Sequence, residues 1–362
     1  MFGKLIHKIK SQFEPRLATV EPLGETFEVA SDQTLLQGAL AAGLAFPHHC
    51  TVGTCGNCKC RLTRGDVRSL IDASLTLTPA ELADGYILAC QCLLKSEVSV
   101  DVELNDDSEA SVPAKCMGTI VATEHLTHDI MKVSAEIDRP MTFRAGQFAD
   151  IGLPGFARHR SYSFANAPVD GGTRQLEFMV RNVSGGEYTQ WLFAQDRRGE
   201  RFELHGPQGS FWLRPADVPI LCVAGGSGMA PLLSILEDCL NKNIERPVAF
   251  FFGARQTHDL YCLQQLESIR QQWASEFRFI PVLSEEPEPS AWTGARGMVT
   301  QFLDRDYAGF DIDASHAYLC GPPPMIDAAL ARLQSCGLGT KHIHYDKFLD
   351  SRQLEVSKNG VT

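Results

Sequence analysis

The chain's tightest constraint lies at residues 50–60, CTVGTCGNCKC, followed by CQC at 90–92, so that six of its twelve cysteines fall within 43 residues. Cys50, Cys55 and Cys58 follow the spacing C-x4-C-x2-C, and Cys90 comes after 31 further residues. Three thiolates on one short loop, joined by a fourth from a distant strand, suit a metal centre that ties the loop to its domain. Gly53 and Gly56 let backbone N–H groups come close to bound sulfide. A zinc site asks instead for two C-x2-C knuckles or comparable Cys/His pairs. Only one C-x2-C is present, and the adjacent His48 and His49 would point apart. Cys60 and Cys92 each lie two residues beyond a proposed ligand and read as small buried residues.

At 362 residues the chain holds two or three domains, and its composition changes along its length. Residues 1–17 form an amphipathic leader, with Phe2, Leu5, Ile6, Ile9 and Phe13 at helical period and Lys4, Lys8 and Lys10 between them. Two readings stay open for it: contact with an anionic membrane surface or a partner, and packing on its own domain. Residues 18–104 show strand-like alternation at both ends, TFEVA and VSVDVEL, around the cysteines. Residues 105–114, NDDSEASVPA, have linker composition. From 115 to 214, short β-like runs broken by glycine indicate an antiparallel barrel. From 215 to 349, apolar strand, glycine turn and helix alternate, which predicts a parallel sheet covered by helices. Residues 350–362 form a tail without strong pattern.

The cysteine spacing is that of the plant-type [2Fe-2S] site. Two further motif pairs lie downstream. Arg160-Ser161-Tyr162-Ser163 sits on a predicted strand, with Gly146-Gln147 ahead of it and Gly185-Gly186-Glu187-Tyr188-Thr189 after it. A guanidinium fork suits phosphate, a tyrosine offers a flat apolar body with a polar tip, and glycine backbone at a helix start suits pyrophosphate. In the last domain Gly225-Gly226-Ser227-Gly228 and Pro231 link an apolar strand to a helix, and Cys320-Gly321-Pro322 repeats the strand-to-helix change. This is not the G-x-G-x-x-G dehydrogenase fingerprint.

FPHHCTVGTCGNCKCRLTRG with GYILACQC resembles the N-terminal ferredoxin domain of oxygenase reductases, and RSYSF, FFGARQ, RGMVT and LCGPPPMIDAA continue the likeness through residue 349. The chain is thus similar to the reductase (electron transfer) components of oxygenase systems of the xylene monooxygenase type, in which a ferredoxin domain is fused to a ferredoxin–NADP reductase-like module. The resemblance implies a multidomain α+β chain: a β-grasp [2Fe-2S] domain, an antiparallel β-barrel flavin domain and an α/β parallel-sheet nucleotide-binding domain. It implies that Arg160 meets the flavin phosphate, Tyr162 packs by the isoalloxazine and the Ser163 hydroxyl reaches flavin N5. Thr189 stands where serine is commoner. Cys320 would lie beside the nicotinamide C4, Arg255 near the adenosine half, and Phe348 over the flavin face with Tyr345 as its rival. FAD is favoured over FMN by the fused ferredoxin domain. NADH is favoured over NADPH because Ser284-Glu285-Glu286 would repel a 2′-phosphate.

The implied activity carries electrons from NADH through FAD and the cluster to a separate oxygenase, a membrane-bound diiron hydroxylase of aromatic or alkyl side chains in the first reading. A soluble Rieske dioxygenase or soluble diiron monooxygenase is the alternative partner, and a redox-sensing module without turnover the alternative class. A net charge of −11 argues against a nucleic-acid surface. The N-terminus lacks a signal peptide's apolar core, and no uninterrupted apolar run is long enough for a membrane span. A cytoplasmic location is expected, with at most peripheral contact at the inner membrane face. The eleven histidines form no H-x-x-x-H or Glu-x-x-His cluster of an oxygen-activating iron site.

Overall fold

Alternation at the start of the chain builds a hairpin: Arg16–Glu21 pairs antiparallel with Glu25–Val29. Val98–Asp101 then joins Arg16–Glu21 in parallel, with Ala18 opposite Val98. Lys59–Arg64 and Tyr86–Leu88 complete a five-stranded sheet. The helix Leu35–Ala41 lies against it, started by a capping box in which the Thr34 hydroxyl and the Gln37 amide satisfy each other's backbone N–H groups. Leu35, Leu36 and Ala39 share a buried cluster with Val20, Phe27 and Val100. A mixed sheet gripping one helix is the β-grasp arrangement.

The computed structural model describes residues 14–48, 53, 56, 58–77, 79–102, 104, 113–156 and 159–348. Their contacts divide into two units, one within residues 1–110 and the other within 111–350. Residues 1–13 of the expected 1–17 leader, residues 105–112 of the linker and the tail from 350 lie outside the described residues. The first strand already begins at Arg16, and the barrel's first strand at Ala114.

In the second unit, six antiparallel strands run in the order Arg160–Ser163, Phe148–Gly152, Arg201–Gln208, Ala114–His125, Ile130–Met141 and Thr173–Arg181. The bridge Phe164–Phe178 brings the two edges together and closes the barrel. Phe143, Phe164 and Phe178 fill its interior, with the first pair of rings 4.2 Å apart.

The remainder is a six-stranded sheet in the order Ala295–Arg296, Phe277–Leu283, Val248–Ala254, Ile220–Gly225, His316–Gly321 and Ile343–Lys347, parallel throughout. Its central strands are apolar on both faces, as a doubly covered sheet requires. One face shares a core with the barrel residues Ile130, Ala145, Ala165, Met179 and Phe211. The other packs on the helix Pro323–Ser335 through Ile326, Ala329 and Leu333.

Candidate functional site

In the first unit, strand register explains how cysteines far apart in sequence meet. Lys59 stands opposite Leu88, and the Ala89 N–H donates to the Cys58 carbonyl at 3.0 Å. The tight turn Ala89–Gln91 then presents Cys90, whose sulfur lies 3.2 Å from that of Cys58. Two buried sulfurs at this separation fit thiolates sharing one iron. Cys50 and Cys55 lie outside the described residues. Two glycines of their loop are described, and both have left-handed backbone, φ +83° at Gly53 and +75° at Gly56. A Cβ on Gly53 would stand 2.4 Å from Ile71 and 2.6 Å from Gln91, while the Thr76 hydroxyl donates to the Gly53 carbonyl. Gly53 thus combines a left-handed backbone with close packing that a side chain would obstruct.

Cys60 and Cys92 are both fully buried. Burial first, then the nearby Cys58 sulfur, pushes the Cys92 thiol up to about 12, and burial drives Cys60 well above its ordinary range. Burial favours the neutral thiol at both positions. Cys60→Ser is expected to keep the cluster absorbance at wild-type level. It should cost about 1–3 kcal/mol of stability, because a hydroxyl is left in an apolar setting. Loss of cluster colour at full protein yield would make Cys60 a ligand.

In the barrel, Arg160 and Tyr162 are half-buried on one side of their strand and Ser163 is buried on the other. The exposed Ser161 hydroxyl donates to Asp150 at 2.6 Å. Tyr162 lies 5.5 Å from Tyr188 of the helix Glu187–Ala194, so the two motifs meet as an aromatic shelf. Burial raises both phenols, keeping them neutral donors. Gly185, at φ +75°, turns the chain into that helix, and Gly186 caps it. The Thr189 hydroxyl points inward: it accepts from the Val183 N–H at 3.0 Å and lies 3.2 Å from the Gly186 carbonyl. It shapes the turn and leaves the turn's outer face to backbone. Gln147 is likewise committed, accepting from Arg144 N–H and donating to the Gly209 carbonyl at 3.0 Å. Gly146, at φ +96°, would place a Cβ 2.1 Å from the Phe211 carbonyl.

In the parallel sheet, the strand ends Ala224 and Cys320 are neighbours, so both strand-to-helix turns open side by side. A Cβ on Gly228 would fall 2.1 Å from the Cys320 carbonyl, and one on Gly321 2.8 Å from the Gly225 carbonyl. Ser227 lies in the tight turn Gly226–Gly228, and Pro231 in the first turn of the helix Met229–Asn241. Cys320 is fully buried, and burial raises its thiol well above the ordinary range. The Phe348 N–H donates to the Gly321 carbonyl, and its ring packs against the barrel-facing core, whereas Tyr345 packs on the opposite face.

A cavity of about 260 Å³ opens at these turns, with Gly225, Gly226 and Pro322 on one wall and Arg255, Ser284 and Met298 on another. The barrel contributes Asp129 and Arg181. Arg255 bonds Asp259 twice, Nε to Oδ2 at 3.1 Å and Nη2 to Oδ1 at 3.0 Å, and also reaches Asp129 at 3.0 Å. Burial works to raise the Asp129 carboxyl, but the Thr127 hydroxyl, Arg181 and Arg255 outweigh it and hold it below the usual range. Two guanidiniums beside glycine backbone, oriented by Asp129 and Asp259, offer donors to a phosphate-bearing ligand. The sequence reading missed Asp129, Arg181, Tyr261 and Met298. Only Asp259, one helical turn from Arg255, left a local signal. Tyr261 supports the first glycine turn by donating to the Gly226 carbonyl at 2.7 Å.

Residues 18–95 match the 2Fe-2S iron-sulfur cluster binding domain, 117–212 the oxidoreductase FAD-binding domain and 222–330 the oxidoreductase NAD-binding domain. The fold and these matches define an oxidoreductase that uses FAD, NAD and a [2Fe-2S] cluster. The chain is 39% identical to the xylene/toluene monooxygenase electron transfer component of Pseudomonas putida, over 96% of this chain and 98% of that one. It is 33% identical to the phenol 2-monooxygenase reductase component of Pseudomonas sp. strain CF600, over 91% and 93%. Among solved structures, the Amycolatopsis reductase GcoB superposes with a TM-score of 0.79 at 31% identity, covering 93% of this chain and 99% of that one. The chain belongs to the family of reductase (electron transfer) components of oxygenase systems. Among the described residues, no helix is long and apolar enough to cross a membrane.

Proposed function

We propose that the chain takes hydride from NADH in the cavity between the two glycine turns and delivers single electrons to a separate oxygenase. The observation that carries this reading is the meeting of both turns with the barrel's Asp129 and Arg181 around one cavity. When bound, FAD converts a two-electron donor into single-electron delivery and the [2Fe-2S] cluster passes those electrons on. The chain's own part is positioning. Cys50, Cys55, Cys58 and Cys90 hold the cluster. Arg160, Tyr162, Ser163 and the Gly185–Gly186 turn hold the flavin, with Gly146, Gln147 and Thr189 setting the backbone around it. Gly225 to Gly228, Gly321 and Pro322 admit the dinucleotide, and Pro231 starts the helix behind them. Cys320 and Phe348 pack at the nicotinamide end, a neutral thiol and a ring that exclude water. We assign 18–104 to the cluster domain, 115–214 to the flavin barrel and 215–349 to the nucleotide domain.

NADH is the preferred donor in this reading. The Glu286 carboxylate accepts from both the N–H and the hydroxyl of Thr257 at 2.8 Å, and the backbone bond above all keeps it below its ordinary range and ionised. Glu286 follows the lining residue Ser284 by two positions, and its partner Thr257 follows the lining residue Arg255 by two, so a 2′-phosphate bound at Arg255 and Ser284 would meet its charge. NADH should exceed NADPH in kcat/KM by on the order of tenfold, the scale of one unfavourable charge pair near a surface. Equal use of both donors in steady-state assays would refute this.

For the partner, we propose a membrane-bound diiron hydroxylase over a soluble oxygenase; what supports a xylene/toluene monooxygenase-type system is the higher identity to that component, 39%, than to the phenol 2-monooxygenase component, 33%. Reconstitution decides it: NADH-driven hydroxylation should appear with hydroxylase-bearing membranes. Turnover with a soluble Rieske or diiron oxygenase only would transfer the assignment to that class. Rapid NADH-dependent reduction of an added one-electron dye excludes a sensor without turnover.

A further inference from the structure

Beside the nucleotide cavity, two histidines outside its lining converge on one buried carboxylate, Asp259, which is part of that lining. His128 sits in the barrel turn between Ala114–His125 and Ile130–Met141, and His258 in the tight turn Thr257–Asp259 of the nucleotide domain. His128 Nδ1 and His258 Nε2 each lie 3.6 Å from Asp259 Oδ1, and the three ligand atoms lie within 4.8 Å of one another. Both imidazoles are more than half exposed, whereas Asp259 is buried. We infer that His128, His258 and Asp259 form a site for a zinc-like divalent transition-metal ion that bridges barrel and nucleotide domain and weakens NADH binding.

The donor chemistry supports this. Two imidazoles and one carboxylate form a three-protein-ligand zinc set, with water completing a tetrahedron. Bonds of about 2.0–2.2 Å to such ligands place neighbouring donors about 3–4 Å apart, which the present separations already approach. Exposed imidazoles give the ion an entry path, and the buried carboxylate is held in place by Arg255. Hard ions such as magnesium prefer all-oxygen octahedra and are not served here.

The same Asp259 Oδ1 accepts from Arg255 Nη2 at 3.0 Å. An ion on that oxygen competes with the guanidinium and leaves Arg255 with one of its two bonds to Asp259. Arg255 forms part of the cavity wall, so the fork that orients it is loosened by metal. The binding site stands on its own geometry, while the effect on NADH rests on the cavity being the nucleotide site.

The test uses the holoprotein and zinc ions, with the double variant His128→Gln/His258→Gln. Zinc titration against a metallochromic competitor should show one equivalent in the wild type that the variant lacks, with flavin and cluster absorbance unchanged in both. Zinc should raise the apparent KM for NADH by about tenfold, the worth of one charge-assisted hydrogen bond, with kcat unchanged. The variant should match the wild type without zinc and show no such rise. Equal zinc stoichiometry in the two proteins overturns the site. Zinc bound at the histidines with an unmoved KM overturns the coupling. Direct NADH binding to zinc-free wild type and Arg255→Ala then reports separately whether the cavity holds the nucleotide.

Discussion

Cys58→Ser should lose the iron–sulfur absorbance and cut NADH-driven reduction of a one-electron protein acceptor by at least about 100-fold, since even an outer partner of a metal ligand is worth about 10–100-fold. The reason lies in the pairing of two buried sulfurs 3.2 Å apart, fixed by the Ala89-to-Cys58 backbone bond and the Lys59–Leu88 register. Serine offers a poorer ligand and leaves Cys90 without its neighbour. Because the barrel and nucleotide domain form a separate compact unit, NADH reduction of a dye that draws directly on flavin should continue at the wild-type rate. Cys90→Ser should behave alike. Retention of the cluster in either variant would remove that residue from the ligand set.

Gly228→Ala should strike the other end of the path. The added carbon would lie 2.1 Å from the Cys320 carbonyl oxygen, 2.4 Å from its carbon and 2.9 Å from the Gly321 nitrogen. All three are backbone atoms, so no rotamer change relieves the contact, and the two strand-to-helix turns must part. Overpacking of this kind costs about 1–3 kcal/mol. Moving the turns by about 1 Å should lower kcat/KM for NADH about 100-fold. Flavin and cluster content should stay at wild-type levels, because neither Gly228 nor Cys320 belongs to the barrel or to the first unit. Wild-type kinetics with NADH would mean that these turns do not receive the dinucleotide.

Much of this architecture was legible from local pattern. Alternation in TFEVA and VSVDVEL, and apolar runs ending in glycine such as PILCVAGG, each encode an element through neighbours a few residues apart. The cysteine spacing encodes chemistry in the same way. Long-range placement was less visible. Nothing local marks Asp129 as the partner of Arg255, 126 residues away, because one lies in the barrel and the other in the parallel sheet's domain. Thr189 illustrates a second limit: its motif position shows that a hydroxyl stands there but not where it points, and packing turns it onto Val183 and Gly186. Tyr345 and Phe348 illustrate a third. An odd separation puts them on opposite faces of the edge, but only the assembled sheet shows that Phe348 shares the barrel-facing core.

The central claim, that one chain joins nicotinamide, flavin and iron–sulfur sites into an electron path, is tested most directly by anaerobic titration of the purified holoprotein with NADH. It should be followed by visible absorption and electron paramagnetic resonance. The account predicts bleaching of flavin together with the growth of one reduced [2Fe-2S] signal, both dependent on NADH. A flavin that is reduced while the cluster stays oxidised, or a colourless protein carrying zinc at the four cysteines, would contradict it.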